Sequence, residues 1–208
     1  MGRIVFRDID SLAPAGGEEG RDREHGCEQE EGAHARGIIL FRTVSEAVPT
    51  PEELRSALGL LPTGVTIVST PGPEGPAGAT ANAVTSLSLD PPLMLAALDR
   101  GSRTLAALQE VGRFGVNVLR GEHAELARAF SGPFTHAERW SDVAWGVRHG
   151  VPVLDEALAW VACELRESLD GGDHVILVGD VVGLGANGDG EPLVFHQGSY
   201  RALGDQGG

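Results

Sequence analysis

The amino-acid sequence predicts a mainly β fold, a mostly antiparallel barrel with short helices at its periphery. Strand-like segments, about six or seven, outnumber three short helical ones, and they do not alternate with full-length helices as parallel α/β folds require. The 30 glycines among 208 residues are roughly double the average usage and indicate many turns. Two long apolar runs, residues 158–169 and 174–184, flank the sequence Asp-Gly-Gly-Asp, which is a strong hairpin signal.

The first element of this fold is predicted to be a helix that begins after Thr50. Thr50 and Glu53 form a capping box with proline at the first helical position, and Leu54, Leu58 and Leu61 lie on one face. A β-branched run then predicts a buried strand over residues 64–70. The next predicted elements are, in order, a loop over 71–78 and strands over 79–89 and 93–98.

The second half of the chain is predicted to open with a short helix capped by Ser102. Leu105, Leu108 and Val111 would face inward from it. A later helix over 122–130 has acidic residues in its first turn and a basic one in its last, as the helix dipole prefers. The remaining predicted elements are a strand over 114–119, a long loop over 131–150, the hairpin described above and a last strand over 192–195.

Residues 1–46 are predicted to be an acidic N-terminal extension that is largely disordered, and residues 47–208 to be the folded domain. Segment 14–33 is rich in glycine and charge but has almost no apolar side chain to pack. The apolar segment 37–41, Gly-Ile-Ile-Leu-Phe, could add a strand to the domain or could be a fragment of an overextended gene start. The sequence leaves both readings open.

Composition and charge exclude several classes of function. The chain has 30 acidic and 16 basic residues and a formal net charge of −14, so phosphate backbones repel it and we predict no nucleic-acid partner. No apolar run approaches the roughly 20 residues that span a bilayer, and the N-terminus lacks the apolar core of a signal peptide. We therefore predict a cytoplasmic protein without a membrane partner. Cys27 and Cys163 lack metal-ligand spacing, and we predict no metal.

Residues 78–92 are the first candidate for a binding function. Small and polar residues such as Thr80, Asn82, Thr85 and Ser86 make a poor core strand, but they let a flat ligand approach the backbone and offer directional hydrogen bonds. A polar edge strand that faces water explains the pattern equally well. On chemistry alone the two interpretations stay open.

Residues 101–104, Gly-Ser-Arg-Thr, are the second candidate. Exposed amides, two hydroxyls and a guanidinium at the start of a helix are suited to bind an anion. In isolation the segment is simply a serine-capped surface helix. The anion-binding interpretation gains weight because only one short strand separates it from the polar segment before it.

One apparent nucleotide motif is excluded. Residues 183–188 match the glycine pattern of the dinucleotide-binding fingerprint and follow a strand. That fingerprint requires a helix to open at its third glycine, whereas Asp-Gly-Glu-Pro follows here. The segment is therefore predicted to be a hairpin loop.

Several short motifs occur in a fixed order between Leu54 and Tyr200 and carry a resemblance to a known family. They are Arg55-Ser-Ala-Leu-Gly, Pro62-Thr-Gly-Val, Thr80-Ala-Asn-Ala, Ser86-Leu-Ser-Leu-Asp-Pro-Pro, Ser102-Arg-Thr, Phe114-Gly-Val-Asn-Val-Leu, Gly172-Asp-His and Pro192-Leu-Val-Phe-His, followed by Gly198 and Tyr200. The segment resembles the short-chain flavin reductases, the NAD(P)H:flavin oxidoreductases that supply reduced flavin to two-component monooxygenases. No single motif is specific, but the combination is.

The resemblance implies an antiparallel FMN-binding split β-barrel with short peripheral helices, usually a homodimer with the flavin near the subunit interface. It implies two sets of site residues. The flavin, FMN or FAD, would contact Thr63, Thr80, Asn82, Ala83, Thr85, Ser86, Ser102, Arg103, Thr104 and Phe130. The nicotinamide of NADH or NADPH would contact His174, Phe195, His196, Gly198 and Tyr200.

The reaction implied by this resemblance is hydride transfer from the nicotinamide to flavin N5. Because the cofactor carries this chemistry, we expect no catalytic nucleophile or general base in the protein. A flavin-dependent monooxygenase would receive the reduced flavin by diffusion. Two alternatives remain: a flavoenzyme of the same fold that acts directly on an organic substrate, and a flavin- or haem-binding protein without turnover.

Overall fold

The structure is a computed structural model that describes residues 48–203, so the predictions for residues 1–46, including segment 37–41, lie outside it. Four α-helices, a 3-10 turn and twelve β-strands form this part of the chain. The helices are α1 (Pro51–Leu58), α2 (Arg103–Val111), α3 (Ala124–Ser131) and α4 (His136–Trp140), and the 3-10 turn is Gly121–His123. The strands are β1 (Thr63–Gly64), β2 (Thr66–Gly72), β3 (Gly75–Ala81), β4 (Val84–Leu89), β5 (Pro92–Asp99), β6 (Arg113–Val118), β7 (Trp145–Arg148), β8 (Val151–Leu154), β9 (Ala159–Gly171), β10 (His174–Ala186), β11 (Leu193–His196) and β12 (Ser199–Ala202).

Antiparallel pairing organises the whole described domain. Seven strands form the main sheet in the order β3-β2-β6-β9-β10-β5-β4, and two smaller sheets have the orders β1-β11-β12 and β7-β8. The predicted hairpin is the longest pairing: β9 and β10 run from Gly171 opposite His174 to Ala159 opposite Ala186. The predicted mainly β, antiparallel fold class is confirmed.

The core lies on both sides of β2, which explains why this strand reads as a continuous buried run in the sequence. Val68 packs with Phe114 and Leu108 in one cluster, beneath α2. Ile67, the next side chain along the strand, points into a second cluster with Phe130. Alternate residues of an extended strand face opposite sides, so a strand buried on both sides needs apolar residues in succession.

The loop predicted over residues 71–78 is wrong, because this segment continues β2 and begins β3. The two strands pair from Thr66 opposite Ala81 to Gly72 opposite Gly75. Proline is tolerated here since β3 is an edge strand, and since β2 pairs with β6 only over residues 66–69, before Pro71. Gly75 has a φ of 126°, which allows the tight reversal.

The predicted loop over residues 131–150 is wrong as well, because it contains α4 and β7. Thr135 accepts a hydrogen bond from the backbone N–H of Glu138, and the Glu138 carboxylate accepts one from the N–H of Thr135, which is a complete capping box. Strands β8 and β12 also lie outside the predicted strands. Both have only four residues, too few for a periodic pattern to be recognised.

Two of the three predicted helix starts, those at Thr50 and Ser102, are confirmed, but the apolar faces of these two helices are buried only in part. The third helix, predicted over 122–130, is a 3-10 turn over Gly121–His123 followed by α3. The capping box of Thr50 and Glu53 opens α1, and Ser102 caps α2. Leu105 and Leu108 of α2 are buried, whereas Val111 is 41% exposed. In α1 no residue is buried against the described domain. Among residues 48–203 no helix is long and apolar enough to cross a membrane.

Candidate active site

A cleft of about 300 Å³ opens beside the N-terminus of α2, and we call it the first cleft. Four elements meet there: strand β3, the start of α2, the end of α3 and helix α4. Its lining residues are Ala79, Thr80, Gly101, Ser102, Arg103, Thr104, Phe130, Ser131 and Arg139. Five of the ten predicted flavin-binding residues therefore meet in one place: Thr80, Ser102, Arg103, Thr104 and Phe130.

The start of α2 brings a buried polar atom to this cleft. The Ser102 hydroxyl already accepts a hydrogen bond from the backbone N–H of Leu105, at 3.4 Å, and serves as the helix cap. The Thr104 side chain is different: it is only 1% exposed, and its Oγ1 has no hydrogen-bond partner among the described residues. Because a buried hydroxyl without a partner is costly, this arrangement indicates a ligand that would supply the missing bond.

Two arginines concentrate positive charge on the same cleft. Arg103 Nη2 donates to the carbonyl of Phe134 at 2.6 Å, and no carboxylate of the described chain lies within ion-pairing distance of either Arg103 or Arg139. Arg139 bridges two backbone carbonyls, those of Gly78 and Gly132, both at 2.7 Å, while its buried Nε has no partner. Burial lowers the pKa of Arg139, and the positive charge of Arg103 lowers it further.

A histidine lies next to this pair of arginines. Burial lowers the pKa of His136, and the charges of Arg139 and Arg103 lower it further, so the imidazole is held neutral at physiological pH. Neither of its ring nitrogens has a hydrogen-bond partner among the described residues. In a chain with a net charge of −14, two adjacent arginines that have no carboxylate partner within residues 48–203 mark a local site for an anion.

Aromatic packing fixes the inner wall of the first cleft. Phe130 is 1% exposed, and its ring meets that of Trp140 edge to face with 5.1 Å between the centroids. Both rings press against the backbone of Gly78, where an added Cβ would lie 2.8 Å from Phe130 and 3.0 Å from Trp140. Any other residue at position 78 would therefore displace the aromatic wall.

The other predicted flavin-binding residues lie outside the first cleft. Asn82 Nδ2 donates to Thr63 Oγ1 at 2.9 Å, which holds the β3–β4 connection against β1. Ala83, Thr85 and Ser86 are exposed, and the last two lie on the edge strand β4. Thr80, which lines the cleft, donates to the carbonyl of Ala127 at 2.7 Å and so ties β3 to α3.

Four of the five predicted nicotinamide-binding residues lie on the β11–β12 hairpin. Phe195 pairs with Thr63 in register, so this hairpin adjoins one of the predicted flavin-binding residues. The rings of Phe195 and Tyr200 meet edge to face at 5.2 Å, and the Arg128 guanidinium lies 5.3 Å from the Tyr200 ring centroid. Gly198 forms the turn with a φ of 74°, next to His196 at the end of β11.

His174 lies apart from that hairpin, at the start of β10. Its Nδ1 is 2.7 Å from the Asp173 carboxylate, and this hydrogen bond lowers the pKa of Asp173. The strand register places His174 opposite Asp99, close to the start of α2. Within the described domain, no hydrogen bond or strand pairing joins His174 to the β11–β12 hairpin.

Arg139 and Ser131 line the first cleft but were not among the predicted site residues, whereas Ala79 and Gly101 lie within the candidate segments 78–92 and 101–104. The segment around Arg139 was predicted to be a loop. The capping box at Thr135 would have placed Arg139 on a helix, but only the tertiary fold brings that helix to β3. No local pattern separates Arg139 from the other arginines of the chain.

Comparisons with known proteins agree with this geometry. The family model "Flavin reductase like domain" matches residues 58–204. The chain is 41% identical over 169 residues to an NADH-dependent flavin reductase of Rhodococcus sp., covering 79% of this chain and 94% of that protein. It is 39% identical over 148 residues to the reductase component of a 4-nitrophenol 4-monooxygenase/4-nitrocatechol 2-monooxygenase of Rhodococcus opacus, covering 71% and 78% of the two chains.

A solved structure is similar over the same region. The NADH:FAD oxidoreductase of Streptomyces globisporus, determined in complex with NAD and FAD fragments, superposes with a TM-score of 0.71 at 30% identity, covering 78% of this chain and 99% of that one. The resemblance drawn from the short motifs and the split-barrel fold are both confirmed. The family model covers well over half of the chain, and the chain belongs to the flavin reductase-like family.

Proposed function

We propose that the protein uses NADH to reduce FMN or FAD and supplies the reduced flavin to a monooxygenase. The observation that carries the proposal is the first cleft, where the Thr104 hydroxyl and the guanidinia of Arg103 and Arg139 meet beside a helix N-terminus. Among residues 48–203 this hydroxyl has no hydrogen-bond partner and neither arginine has a carboxylate partner. A phosphate has the charge and the acceptor oxygens to satisfy all three groups. The relatives' activities, NADH-dependent flavin reduction and the reductase role in a monooxygenase, support the same assignment.

The residues of this chain would bind the flavin and the nicotinamide and orient them. The redox chemistry would be that of the flavin, which accepts a hydride from the nicotinamide. Arg103, Thr104 and the α2 amides would hold the flavin phosphate. Phe130 would close the inner wall. Fixing the flavin at one end limits the positions of its ring, and holding two reactants in contact accounts for much of the acceleration in such a reaction.

The flavin ring would lie along the β3–β4 connection, against the predicted polar residues that lie outside the first cleft. Asn82 and Thr63 are already joined by a hydrogen bond there, and Thr85 and Ser86 offer hydroxyls on the adjoining edge strand. The nicotinamide would approach from the β11–β12 hairpin, because Phe195 pairs with Thr63. His174 lies apart from this hairpin and would reach the nicotinamide from a different direction, so its position supports its predicted role less than those of the other four residues support theirs.

A homodimer would bury two surfaces that are exposed in the single chain. The exposed edge strand β4 and the apolar face of α1 are the surfaces that a second copy would bury. We also retain the prediction of a cytoplasmic protein, since NADH is supplied there. Sedimentation of the purified chain and fractionation of expressing cells test these two points separately.

Steady-state oxidation of NADH with added FMN or FAD tests the proposed reaction. Turnover that saturates with free flavin supports the reductase. A flavin that stays bound through gel filtration, combined with no stimulation by added flavin, would instead favour an enzyme that acts directly on an organic substrate. Flavin binding without any oxidation of NADH would favour a carrier. NADPH in place of NADH measures the nicotinamide preference in the same assay.

A further inference from the structure

Helix α3 connects the first cleft to the β11–β12 hairpin. Phe130 and Ser131, at its C-terminal end, line the first cleft. The 3-10 turn that precedes α3 packs against the hairpin, because an added Cβ on Gly121 would lie 2.8 Å from the Cβ of Ala202 in β12. Between these two ends, Arg128 directs its guanidinium toward the hairpin. A ligand in the first cleft and a ligand on the hairpin would therefore contact the same helix.

The Arg128 guanidinium lies over a pair of aromatic rings. Its Cζ is 5.3 Å from the ring centroid of Tyr200, and the Tyr200 ring meets that of Phe195 edge to face. Tyr200 and Phe195 also pair in strand register, and both pack against the core cluster that contains Phe130. Because a guanidinium is attracted to the face of an aromatic ring, this stacking holds a positive charge beside two of the predicted nicotinamide contacts.

Glu125, one turn earlier on α3, is the carboxylate partner of Arg128 among residues 48–203. The two side chains form a hydrogen-bonded ion pair and are 88% and 54% exposed, respectively. An ion pair this exposed contributes little to stability, because water screens it and both side chains lose freedom in forming it. A phosphate can therefore replace Glu125 at small cost, and the planar guanidinium suits two parallel hydrogen bonds to phosphate oxygens.

NADH is an anion, and it must bind to a chain with a net charge of −14. Under the proposed function, Arg103 and Arg139 of the first cleft hold the flavin phosphate, so the phosphates of NADH need a different cation. In a nicotinamide nucleotide, a single ribose separates the ring from the nearest phosphate. Arg128 lies within that reach of a ring that contacts Tyr200, since its guanidinium is stacked on Tyr200 itself.

We propose that Arg128 binds the nicotinamide-side phosphate of NADH, and that Glu125 competes with this phosphate for the guanidinium. The inference rests on the proposed function and adds a binding residue for the hydride donor on α3. The hairpin contacts the nicotinamide ring while Arg128 holds the phosphate. Two points of attachment restrict rotation about the bonds between them and so limit the orientations of the ring.

Three hydride donors that differ in their phosphates test this assignment. They are NADH, reduced nicotinamide mononucleotide, which keeps only the nicotinamide-side phosphate, and reduced nicotinamide riboside, which has none. For each donor, kcat/KM is measured with saturating FMN, and the dissociation constant of FMN and the Tm are measured alongside. We expect Arg128→Ala to lower kcat/KM about tenfold for NADH and for the mononucleotide, because a charge-assisted contact is lost. The riboside's kcat/KM and the FMN dissociation constant should stay within twofold.

Arg166→Ala is the matched control for this variant. Arg166 is 46% exposed and is paired with Asp180 in the β9–β10 hairpin, so its removal deletes the same charge and a similar ion pair at a different place. All three kcat/KM values should stay within twofold of the native values. A tenfold loss for NADH in this control would assign the effect to net charge and overturn the proposal.

Glu125→Gln tests the competition between carboxylate and phosphate. The amide removes the negative charge beside Arg128, so kcat/KM should rise about threefold for NADH and the mononucleotide and stay unchanged for the riboside. Glu164→Gln removes the same charge from the partner of Arg113 and should change none of the three. A lower kcat/KM for NADH in Glu125→Gln, or an equal rise in Glu164→Gln, would overturn the competition.

The other outcomes for Arg128→Ala are equally decisive. Equal losses for all three donors would make Arg128 a support of the aromatic pair, and unchanged values would remove it from the site; either result overturns the proposal. A loss confined to NADH would place the contact on the adenylate half and overturn the nicotinamide-side assignment. Failure of the proposed function is separate, because it would appear as a native chain that does not oxidise NADH with added flavin.

Discussion

Replacing Thr104 by valine should stabilise the unliganded protein and, at the same time, weaken its binding of FMN. Valine has the shape of threonine without the hydroxyl, and the two residues have similar helix propensities. Thr104 is 1% exposed and its Oγ1 has no partner in the described domain, so the native chain bears the desolvation cost of a buried hydroxyl with no compensating bond.

The magnitudes follow from that geometry. An unsatisfied buried hydroxyl costs about 1–3 kcal/mol. Taking the lower end, because the cleft beside it is open to water, Thr104→Val should raise the free energy of unfolding by about 1 kcal/mol and the Tm by about 2–4 °C. A hydrogen bond to a charged phosphate contributes about 1.5–3 kcal/mol, so FMN should bind about tenfold or more weakly.

Urea unfolding of the unliganded variant and titration with FMN and riboflavin measure the two effects separately. Riboflavin lacks the phosphate, so its dissociation constant for the variant should lie within twofold of its value for the native chain. A conservative serine at the same position retains the hydroxyl and should keep most of the FMN affinity. If valine destabilises the protein, or if FMN and riboflavin weaken together, Thr104 does not face the phosphate and the assignment of the first cleft is wrong.

Three further predictions concern other groups, and one concerns reactivity. Arg103→Ala should raise the dissociation constant of FMN by about tenfold, because an exposed charge-assisted hydrogen bond contributes at the low end of the usual energy range for such bonds. The dissociation constant of riboflavin should stay within twofold, and equal losses of affinity for the two ligands would contradict the proposed phosphate site. The pKa of His136 is lowered in the folded state, so the unfolded chain binds a proton more readily as the pH falls below about 6.5, and the protein loses stability there. Between pH 7.5 and pH 5.0, the free energy of unfolding measured in urea should therefore fall less for His136→Gln than for the native chain. His196→Ala should raise the KM for NADH with flavin affinity within twofold, and a parallel loss of both would make this residue structural. Burial raises the pKa of the Cys163 thiol to about 12, so in a Cys27→Ser background alkylating reagents should label it only after unfolding.

Local chemistry explains which parts of the fold could be predicted from the sequence. The capping residues Thr50 and Ser102 act within one helical turn, and the turn at Gly172 lies between two long strands, so short stretches of sequence contain the whole pattern. The loop prediction for the segment from Pro71 to Gly78 was wrong because its prolines are compatible with a strand only at a sheet edge. Edge position is a property of the assembled sheet and is absent from the segment itself.

The candidate site divides in the same way. Arg103 and Thr104 were identified because a helix N-terminus is a local feature, whereas Arg139 reaches the cleft only through hydrogen bonds to the carbonyls of Gly78 and Gly132. The orphaned state of the Thr104 hydroxyl also depends on what packs around it. The predicted grouping of His174 with the β11–β12 hairpin stays a prediction, resting on the family motif.

The isolated arginine pair also governs how fast anionic ligands reach the protein. With a net charge of −14 on the chain, a flavin phosphate or NADH approaching from a distance meets repulsion, and Arg103 and Arg139 attract it only at close range. The Debye length falls from about 30 Å at 0.01 M salt to about 8 Å at 0.15 M, so added salt screens the distant acidic surface before it screens the arginines in contact with the ligand. Capture of FMN should therefore accelerate as salt is raised from very low concentrations, the reverse of the behaviour of a cationic flavin-binding surface.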